Sequence, residues 1–292
     1  MAPKVSVVVP SYNSAAFIDE AIRSILNQTF GDFELIVSDH SSTDGTWERL
    51  QAYADDPRVR LLRTEPGGGA PANWKRVSAE ASGEYLKLVC GDDVIAPTLL
   101  AEQVAPMEED DTVVMVSCKR SLIDARGAEL VAGRGLGGLR GTVPGPSAAR
   151  RSVICGTNIF GEPGCVLYRR SAFTKAGGWD AEDPYVIDQA TACNVLMLGR
   201  YHALDRVLAS FRISAQQWSV NLAQKQADQV VSFHHRLART NPGLLSRADL
   251  LRGDAMARGM AVGRRLTYAY LGRKLHAADD AGRPSSSAKV DS

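Results

Sequence analysis

Short apolar runs alternate with amphipathic segments along the first 118 residues. Each run is bounded by Pro, Gly or polar residues, which is typical of a buried strand. We therefore predict five strands, at Lys4–Val9, Phe33–Ser38, Val59–Leu62, Glu84–Val89 and Thr112–Cys118. The segments between them carry apolar residues at helical spacing, which predicts a helix after each of the first four strands.

This alternation also predicts where a ligand would bind. Strands that alternate with helices predict an α/β fold, a doubly wound and mostly parallel sheet with helices on both faces. Ligands of such sheets bind at the carboxyl ends of the strands. Three polar clusters follow predicted strands: Pro10–Asn13, Asp39–Thr46 and Gly91–Asp93. We expect these clusters to form one site.

The second half of the chain has a less regular pattern. The Gly-rich segment Ala132–Ser147 predicts a mobile loop, and Glu162–Arg170 contains a predicted strand. Asp188–Leu198 has the pattern of a helix, and Tyr201–Arg212 that of a strand pair. Gly177–Asp180 predicts a turn between the strand in Glu162–Arg170 and the helix at Asp188–Leu198.

Four segments follow from these patterns. We predict one domain over residues 1–221, with a regular first half (about 1–120) and a less regular second half (about 121–221). Residues 222–275 predict a helical extension. The tail, 276–292, is rich in Ser, Ala and charge, and we expect it to be disordered.

Composition narrows the class of protein. Apolar residues make up 45% and charged residues 23%, as in an ordinary globular protein. No apolar run is long enough to span a bilayer. The five cysteines are scattered without a C-x-x-C pair, which disfavours a disulfide framework or a zinc knuckle. We therefore expect a cytoplasmic protein without a transmembrane segment.

The net charge of +1 is unevenly distributed along the chain. Residues 1–221 carry 22 basic and 27 acidic groups, a net of −5, whereas residues 222–275 carry 10 and 3, a net of +7. The basic segment is either a solvated helix face or a surface for phosphates or an anionic membrane. We expect no nucleic-acid partner, and peripheral membrane contact stays open.

Carboxylates provide the candidate chemistry. Asp39 ends a predicted strand, where it would bind a ribose or base or cap the next helix. Asp92 and Asp93 end another strand, and adjacent carboxylates repel each other unless a cation or a donor lies nearby. A hard divalent metal that also binds phosphate would relieve that repulsion, while a solvated Gly-Asp-Asp turn is the simpler interpretation.

The order of the motifs resembles a known family. The segments VSVVVPSYN (5–13), SDHSSTDGT (38–46) and NWKRVSAEASGEYLKLVCGDD (73–93) are similar to those of glycosyltransferase family 2, as is GEPGCVLYRRSAFTKAGGWD (161–180). The resemblance covers about residues 4–214 and implies the GT-A fold, with a nucleotide-binding half (about 1–120) and an acceptor half (about 121–221). It also implies inverting transfer of a sugar from a nucleoside diphosphate sugar, most often UDP-linked.

The resemblance assigns roles to residues of the donor site. Pro10, Tyr12 and Asn13 would form the first nucleotide-contacting loop. Asp39 would face the uracil, and Asn73 would lie near the donor.

The metal motif and the catalytic base follow from the same resemblance. Asp92 and Asp93 would hold Mg²⁺ or Mn²⁺ against the diphosphate of the donor. Asp188 would be the general base, the alternative being a helix N-cap. The chain departs from the family at His40 and at Cys90, both of which are often Asp, and a thiol is a poor ligand for Mg²⁺. It departs again near Ser214, which lies outside the residues described below and where the family often has a His that would help to hold the metal or the diphosphate.

Our hypothesis is a metal-assisted glycosyltransferase that acts on a small-molecule or lipid-linked acceptor. The extension, 222–275, would pack on the domain, build the acceptor site or form a homodimer. A sugar nucleotidyltransferase is one alternative, although the loop after the first strand lacks the basic residue that would hold a triphosphate. A nucleotide-sugar-binding or partner-binding protein without turnover is the other, and the departures at His40 and Cys90 favour it.

Overall fold

A computed structural model of the chain describes residues 2–213 and 226–263. The described part contains a ten-stranded sheet in the order β3-β2-β1-β4-β9-β6-β10-β5, with β7 paired to β6 and β8 paired to β10. The strands are β1 (Val5–Ser11), β2 (Phe33–Asp39), β3 (Val59–Arg63), β4 (Tyr85–Leu88), β5 (Val94–Ile95), β6 (Val113–Ile123), β7 (Glu129–Arg134), β8 (Gly141–Pro144), β9 (Val166–Arg169) and β10 (Arg200–Arg212).

Helices connect most of these strands. They are α1 (Ile18–Leu26), α2 (Thr46–Gln51), α3 (Gly69–Ala79), α4 (Leu99–Glu109), α5 (Gly145–Cys155), α6 (Arg170–Lys175), α7 (Ile187–Leu196) and α8 (Gln226–Thr240). Residues 247–263 are helical as well. No helix in the described ranges is long and apolar enough to cross a membrane.

The first half has the α/β organisation that the hydrophobic pattern predicts. Strands β3, β2, β1 and β4 are parallel neighbours, and each of the five predicted strands is present. Every residue of β1 is buried, as expected for a strand covered on both faces. In α1, Ile18, Ile22 and Ile25 are fully buried at helical spacing, which anchors this helix to the core.

The second half differs from the sequence-based expectation in two places. The prediction of a mobile loop at Ala132–Ser147 is wrong, because this segment contains the end of β7, all of β8 and the start of α5. Its glycines accommodate positive φ angles between short strands that pair with β6 and β10. The predicted strand pair at Tyr201–Arg212 is one long strand, β10, with register irregularities after Arg200, Leu204 and Val207.

The C-terminal part of the chain is helical wherever the structure describes it. Both α8 and the segment 247–263 lie within the predicted extension, 222–275. The expected tail, 276–292, lies outside the described residues. The division of the chain into a domain, an extension and a tail stays a prediction.

Candidate active site

The carboxyl ends of the parallel strands open into a cavity of about 770 Å³. Residues from both halves of the chain line it, as does the start of α8. The cavity wall includes six of the residues predicted from the sequence: Pro10, Tyr12, Asn13, Asn73, Asp92 and Asp188. The fold therefore brings together side chains that are far apart in the sequence.

The loop after β1 is held in place by the loop after β2. Ser42 Oγ accepts a hydrogen bond from the backbone N–H of Asn13 at 2.9 Å, and Asn13 Oδ1 accepts one from Thr43 N–H at 2.9 Å. Asp44 Oδ2 accepts a further bond from the backbone of the same loop, at Ala15. These contacts fix the loop while the Tyr12 ring remains 61% exposed at the cavity mouth.

Asp39 lies behind the cavity wall rather than on it. Its side chain is fully buried, and Oδ2 accepts a hydrogen bond from Ser42 N–H at 3.2 Å. Arg63 Nε is 3.9 Å from the same oxygen. The other oxygen, Oδ1, has no hydrogen-bond partner among residues 2–213 and 226–263. A buried acceptor without a partner is costly, so this oxygen is suited to a donor group of a ligand.

Asn73 joins the ends of two neighbouring strands. Its Oδ1 accepts a hydrogen bond from Ser38 Oγ at 2.8 Å, and its Nδ2 donates to the carbonyls of Ser11 and Ser38, both at 3.3 Å. The side chain is nearly fully buried and borders the cavity. It therefore stabilises the edge of the sheet on which the predicted donor loop rests.

The predicted metal motif brings potential ligands close together. Single ligand atoms of Cys90, Asp92 and Asp93 lie within 4.8 Å of one another. Asp92 lines the cavity, whereas Asp93 is buried behind it. Burial and the neighbouring charge of Asp92 raise the pKa of Asp93 well above its usual value. Two carboxylates in this arrangement fit a hard divalent cation, since its charge would offset their repulsion.

Cys90 contributes little to such a site. Burial, followed by the charges of Asp93 and Asp92, raises the pKa of its thiol well above the usual range. The residue therefore carries a neutral thiol, and the thiolate is the form that ligates metals.

A buried arginine holds the metal motif from behind, and the sequence pattern did not reveal it. Arg212, at the end of β10, donates from Nε to the carbonyl of Asp92 at 2.9 Å, and its backbone N–H donates to Asp93 Oδ1 at 3.1 Å. Its Nη2 donates to Glu20 Oε2 at 2.6 Å, and its guanidinium lies 4.8 Å from the centre of the Phe17 ring. Arg212 thus ties the motif to α1.

Asp188 is the second residue of α7 and faces the cavity. Its Oδ2 accepts a hydrogen bond from Asn158 Nδ2 at 3.0 Å, and its Oδ1 accepts one from Gln189 N–H at 2.7 Å. Burial, and then the charge of Glu162, raise its pKa to about 6. The alternative of an N-cap does not hold, because Val186 occupies that position. Asp188 has the environment of a base that works near neutral pH.

A largely buried ion pair lies beside Asp188. Arg120 on β6 donates from Nη2 to Glu162 Oε1 at 3.0 Å, and its Nε contacts Glu162 Oε2. Both residues line the cavity. Neither residue was singled out from the sequence, because the pair joins two distant segments and has no local motif.

Comparison with known proteins identifies the family. The sequence profile described as Glycosyl transferase family 2 matches residues 6–177, which is more than half of the chain. The chain belongs to this family. Among curated relatives, the glycosyltransferase GlyG of Streptococcus pneumoniae is 34% identical over 117 residues, covering 40% of this chain and 39% of GlyG. The poly(ribitol-phosphate) β-N-acetylglucosaminyltransferase TarS of Staphylococcus aureus is 32% identical over 127 residues, covering 42% of this chain and 22% of TarS.

Solved structures support the GT-A fold of this family 2 chain. TarS residues 1–349 in complex with UDP-GlcNAc match with a TM-score of 0.66 and 20% identity, over 87% of this chain and 71% of that one. The mannosyltransferase PcManGT from Pyrobaculum calidifontis, in complex with GDP-Man and Mn²⁺, matches with a TM-score of 0.64 and 20% identity, over 96% of this chain and 80% of PcManGT.

The chain spans only part of the length of its curated relatives. The aligned segment covers 39% of GlyG and 60% of the uncharacterised Mycobacterium tuberculosis protein MT1568.

The family 2 match ends before α8, which nevertheless forms part of the cavity wall. Gln226 and Val230 of this helix line the cavity, and Gln229 Oε1 accepts a hydrogen bond from Tyr185 N–H at 2.7 Å. The helix is secured by Arg236, which reaches three carboxylates of the loop before α7. They are Asp180 at 2.5 Å, Asp183 at 3.2 Å and Glu182 at 3.4 Å. The C-terminal extension thus completes the cavity beside Asp188.

Proposed function

We propose that this chain transfers a sugar from a nucleoside diphosphate sugar to a hydroxyl or amine acceptor, with inversion at the anomeric carbon. The observation that carries the proposal is that Asp92 and Asp188 line one cavity, between loops from both halves of the fold. The first belongs to a pair of carboxylates suited to a cation, and the second is a carboxylate with a raised pKa. Membership of glycosyltransferase family 2 supports the same reaction class.

Asp188 would act as the general base. With a pKa of about 6, it is ionised at neutral pH and still basic enough to accept a proton from an acceptor hydroxyl as that oxygen attacks. Attack from the face opposite the leaving diphosphate inverts the anomeric centre. The hydrogen bond from Asn158 holds one carboxylate oxygen, which orients the base toward the cavity.

Asp92, supported by Asp93, would hold Mg²⁺ or Mn²⁺. Such a cation supplies positive charge that stabilises the leaving diphosphate. Arg212 would keep both acidic residues in position through its contacts with their carbonyl and carboxylate oxygens. The PcManGT complex, which contains both GDP-Man and Mn²⁺, supports a metal-assisted donor site in this fold.

We assign UDP as the donor nucleotide. The buried Oδ1 of Asp39 would accept a hydrogen bond from an N–H group of the base, as the family resemblance implies for uracil. The TarS complex with UDP-GlcNAc supports this choice, while the GDP-Man complex of PcManGT makes GDP the competing nucleotide.

A calorimetric panel tests the donor assignment. UDP, GDP, dTDP and CDP are each titrated into the full chain, with and without Mn²⁺. We expect UDP to bind most tightly and its binding to depend on Mn²⁺. If none of the four nucleotides binds, with or without Mn²⁺, the result would support the alternative of a partner-binding protein without turnover. The departures at His40 and Cys90 favour that alternative. Tight binding without any turnover of UDP-sugars would support a nucleotide-sugar-binding protein.

A further inference from the structure

Two arginines of the cavity are partners across neighbouring strands. Arg120 on β6 and Arg134 on β7 are directly opposite each other in the antiparallel register. Side chains in such positions project from the same face of a sheet with their Cβ atoms about 5 Å apart. Both arginines line the cavity. Like charges in this arrangement repel each other, so the pair needs negative charge nearby.

The cavity wall supplies negative charge to only one of them. Both carboxylate oxygens of Glu162 contact Arg120, one at Nη2 and the other at Nε. Arg134 is exposed, and its side chain makes no hydrogen bond or ion pair with any residue in the ranges 2–213 and 226–263, although its backbone pairs with Arg120 in the sheet. One guanidinium therefore faces the cavity without a counter-charge from the described part of the protein.

One short loop connects Asp188, the proposed base, to Glu162, which pairs with Arg120. Asn158 Nδ2 donates both to Asp188 Oδ2 and to the carbonyl of Gly161, at 3.0 and 2.8 Å. Gly161 immediately precedes Glu162, the partner of Arg120. This loop thus connects the proposed base to the ion pair, and Arg134 lies opposite the arginine of that pair on the neighbouring strand.

The backbone next to Arg134 is specialised. Gly135 has φ 130° and ψ −174°, a conformation that essentially only glycine adopts. The chain turns at this point directly after the strand ends, and Arg134 is left as the last residue of β7.

We propose that Arg134 binds an anionic group of the acceptor, a phosphate or a carboxylate. The acceptor would then be an acidic sugar or a phosphorylated polyol rather than a neutral molecule. This inference rests on the proposed transferase function. A guanidinium suits the role because its planar N–H groups match the oxygens of both anions.

Binding of matched charged and neutral probes tests the inference. The full chain, with and without UDP and Mn²⁺, is titrated with sn-glycerol 3-phosphate against glycerol, and with methyl β-D-glucuronide against methyl β-D-glucoside. We expect the wild-type protein to prefer at least one anionic probe by about fivefold, in line with a partly exposed charge pair. The pair that shows the preference distinguishes a phosphate from a carboxylate acceptor.

Two variants locate the effect. Arg134→Gln should abolish the preference, whereas Arg126→Gln, which removes the same charge from the exposed turn between β6 and β7, should retain it. An equal preference in both variants, or no preference in the wild type, would overturn the inference. Weakened UDP binding in Arg134→Gln would assign the arginine to the donor diphosphate instead. Nucleotide binding by the wild type is measured in a separate titration, and its failure would count against the proposed function.

Discussion

Asn158 donates a hydrogen bond from Nδ2 to Oδ2 of Asp188 at 3.0 Å, across 30 positions of the sequence. The same amide group donates to the carbonyl of Gly161, and its Oδ1 accepts from Phe160 N–H at 2.9 Å. The amide is therefore held by its own loop before it contacts the carboxylate. This arrangement fixes the orientation of Asp188 from outside its helix.

Loss of the ionisable group at Asp188 should abolish transfer without loss of donor binding. Asp188→Asn retains the shape of the side chain and its contact with Asn158 but removes the proton acceptor. We expect the rate of sugar transfer to fall by about 10²–10⁴-fold, the usual contribution of a general base. The measurement is the transfer rate with saturating UDP-sugar, alongside calorimetry with UDP.

The exposed Asp55 provides a matched control for this change. Asp55→Asn should transfer sugar at the wild-type rate. A transfer rate in Asp188→Asn within a few-fold of the wild type would exclude Asp188 as the base.

The pH profile should reflect the raised pKa of the same carboxyl. Because only ionised Asp188 accepts a proton, kcat/KM should be half-maximal near its pKa of about 6, level off about one pH unit higher, and fall tenfold per pH unit well below that pKa. Glu162→Gln removes a negative charge that raises this pKa, so the acid limb should move to lower pH. Burial is the larger cause and remains in the variant, so the limb should stay above the value of an exposed Asp. An acid limb that moves to higher pH would contradict this account.

Removal of the cation, or of its cavity-facing ligand, should weaken donor binding. EDTA should abolish transfer, and excess Mn²⁺ should restore it. Asp92→Asn should lose most of the Mn²⁺-dependent gain in UDP affinity, because the neutral amide is a weaker ligand for a hard cation. Calorimetry with and without Mn²⁺ measures the gain. Equal gains in this variant and in Asp55→Asn would show that the metal binds elsewhere.

Loss of the Arg236 contacts should release α8 from the domain. Arg236→Met leaves the half-enclosed carboxylates of Asp180 and Asp183 without their cation, and we expect a loss of about 2–4 kcal/mol in the free energy of unfolding. Urea denaturation measures this loss. Arg239→Met, an exposed position on the same helix, should change stability little. Equal stability of the two variants would indicate that other contacts hold the helix.

The positions of the predicted donor loop and the predicted metal motif followed from the sequence. Parallel strands connected by helices place their carboxyl ends at one edge of the sheet, so polar residues that follow β1, β2 and β4 must meet there. Each of these strands is a short apolar run, and its length and the Pro, Gly or polar residues that bound it indicate a strand. Asp92 and the loop from Pro10 to Asn13 were located in this way, and the structure places them on one cavity.

The antiparallel half could not be derived by the same argument. Strand β9 inserts between β4 and β6, and its position depends on pairing with strands far away in the sequence. The short strands within Ala132–Ser147 contain too few apolar residues to show a period, and their glycines resemble those of a loop. Asp188 was identified from the family resemblance rather than from a pattern of its own.

The sequence by itself thus determined the strands of the first half, the edge of the sheet at which their polar ends meet and the acidic residues at that edge. Those features depend on local apolar periodicity and on the direction of parallel strands. Only the tertiary structure decided that Glu162 pairs with Arg120 and that Arg134 lies opposite Arg120. It also decided that Arg212 supports the predicted metal motif. These are contacts between distant segments, set by strand register and by burial of charge, and no local pattern encodes them.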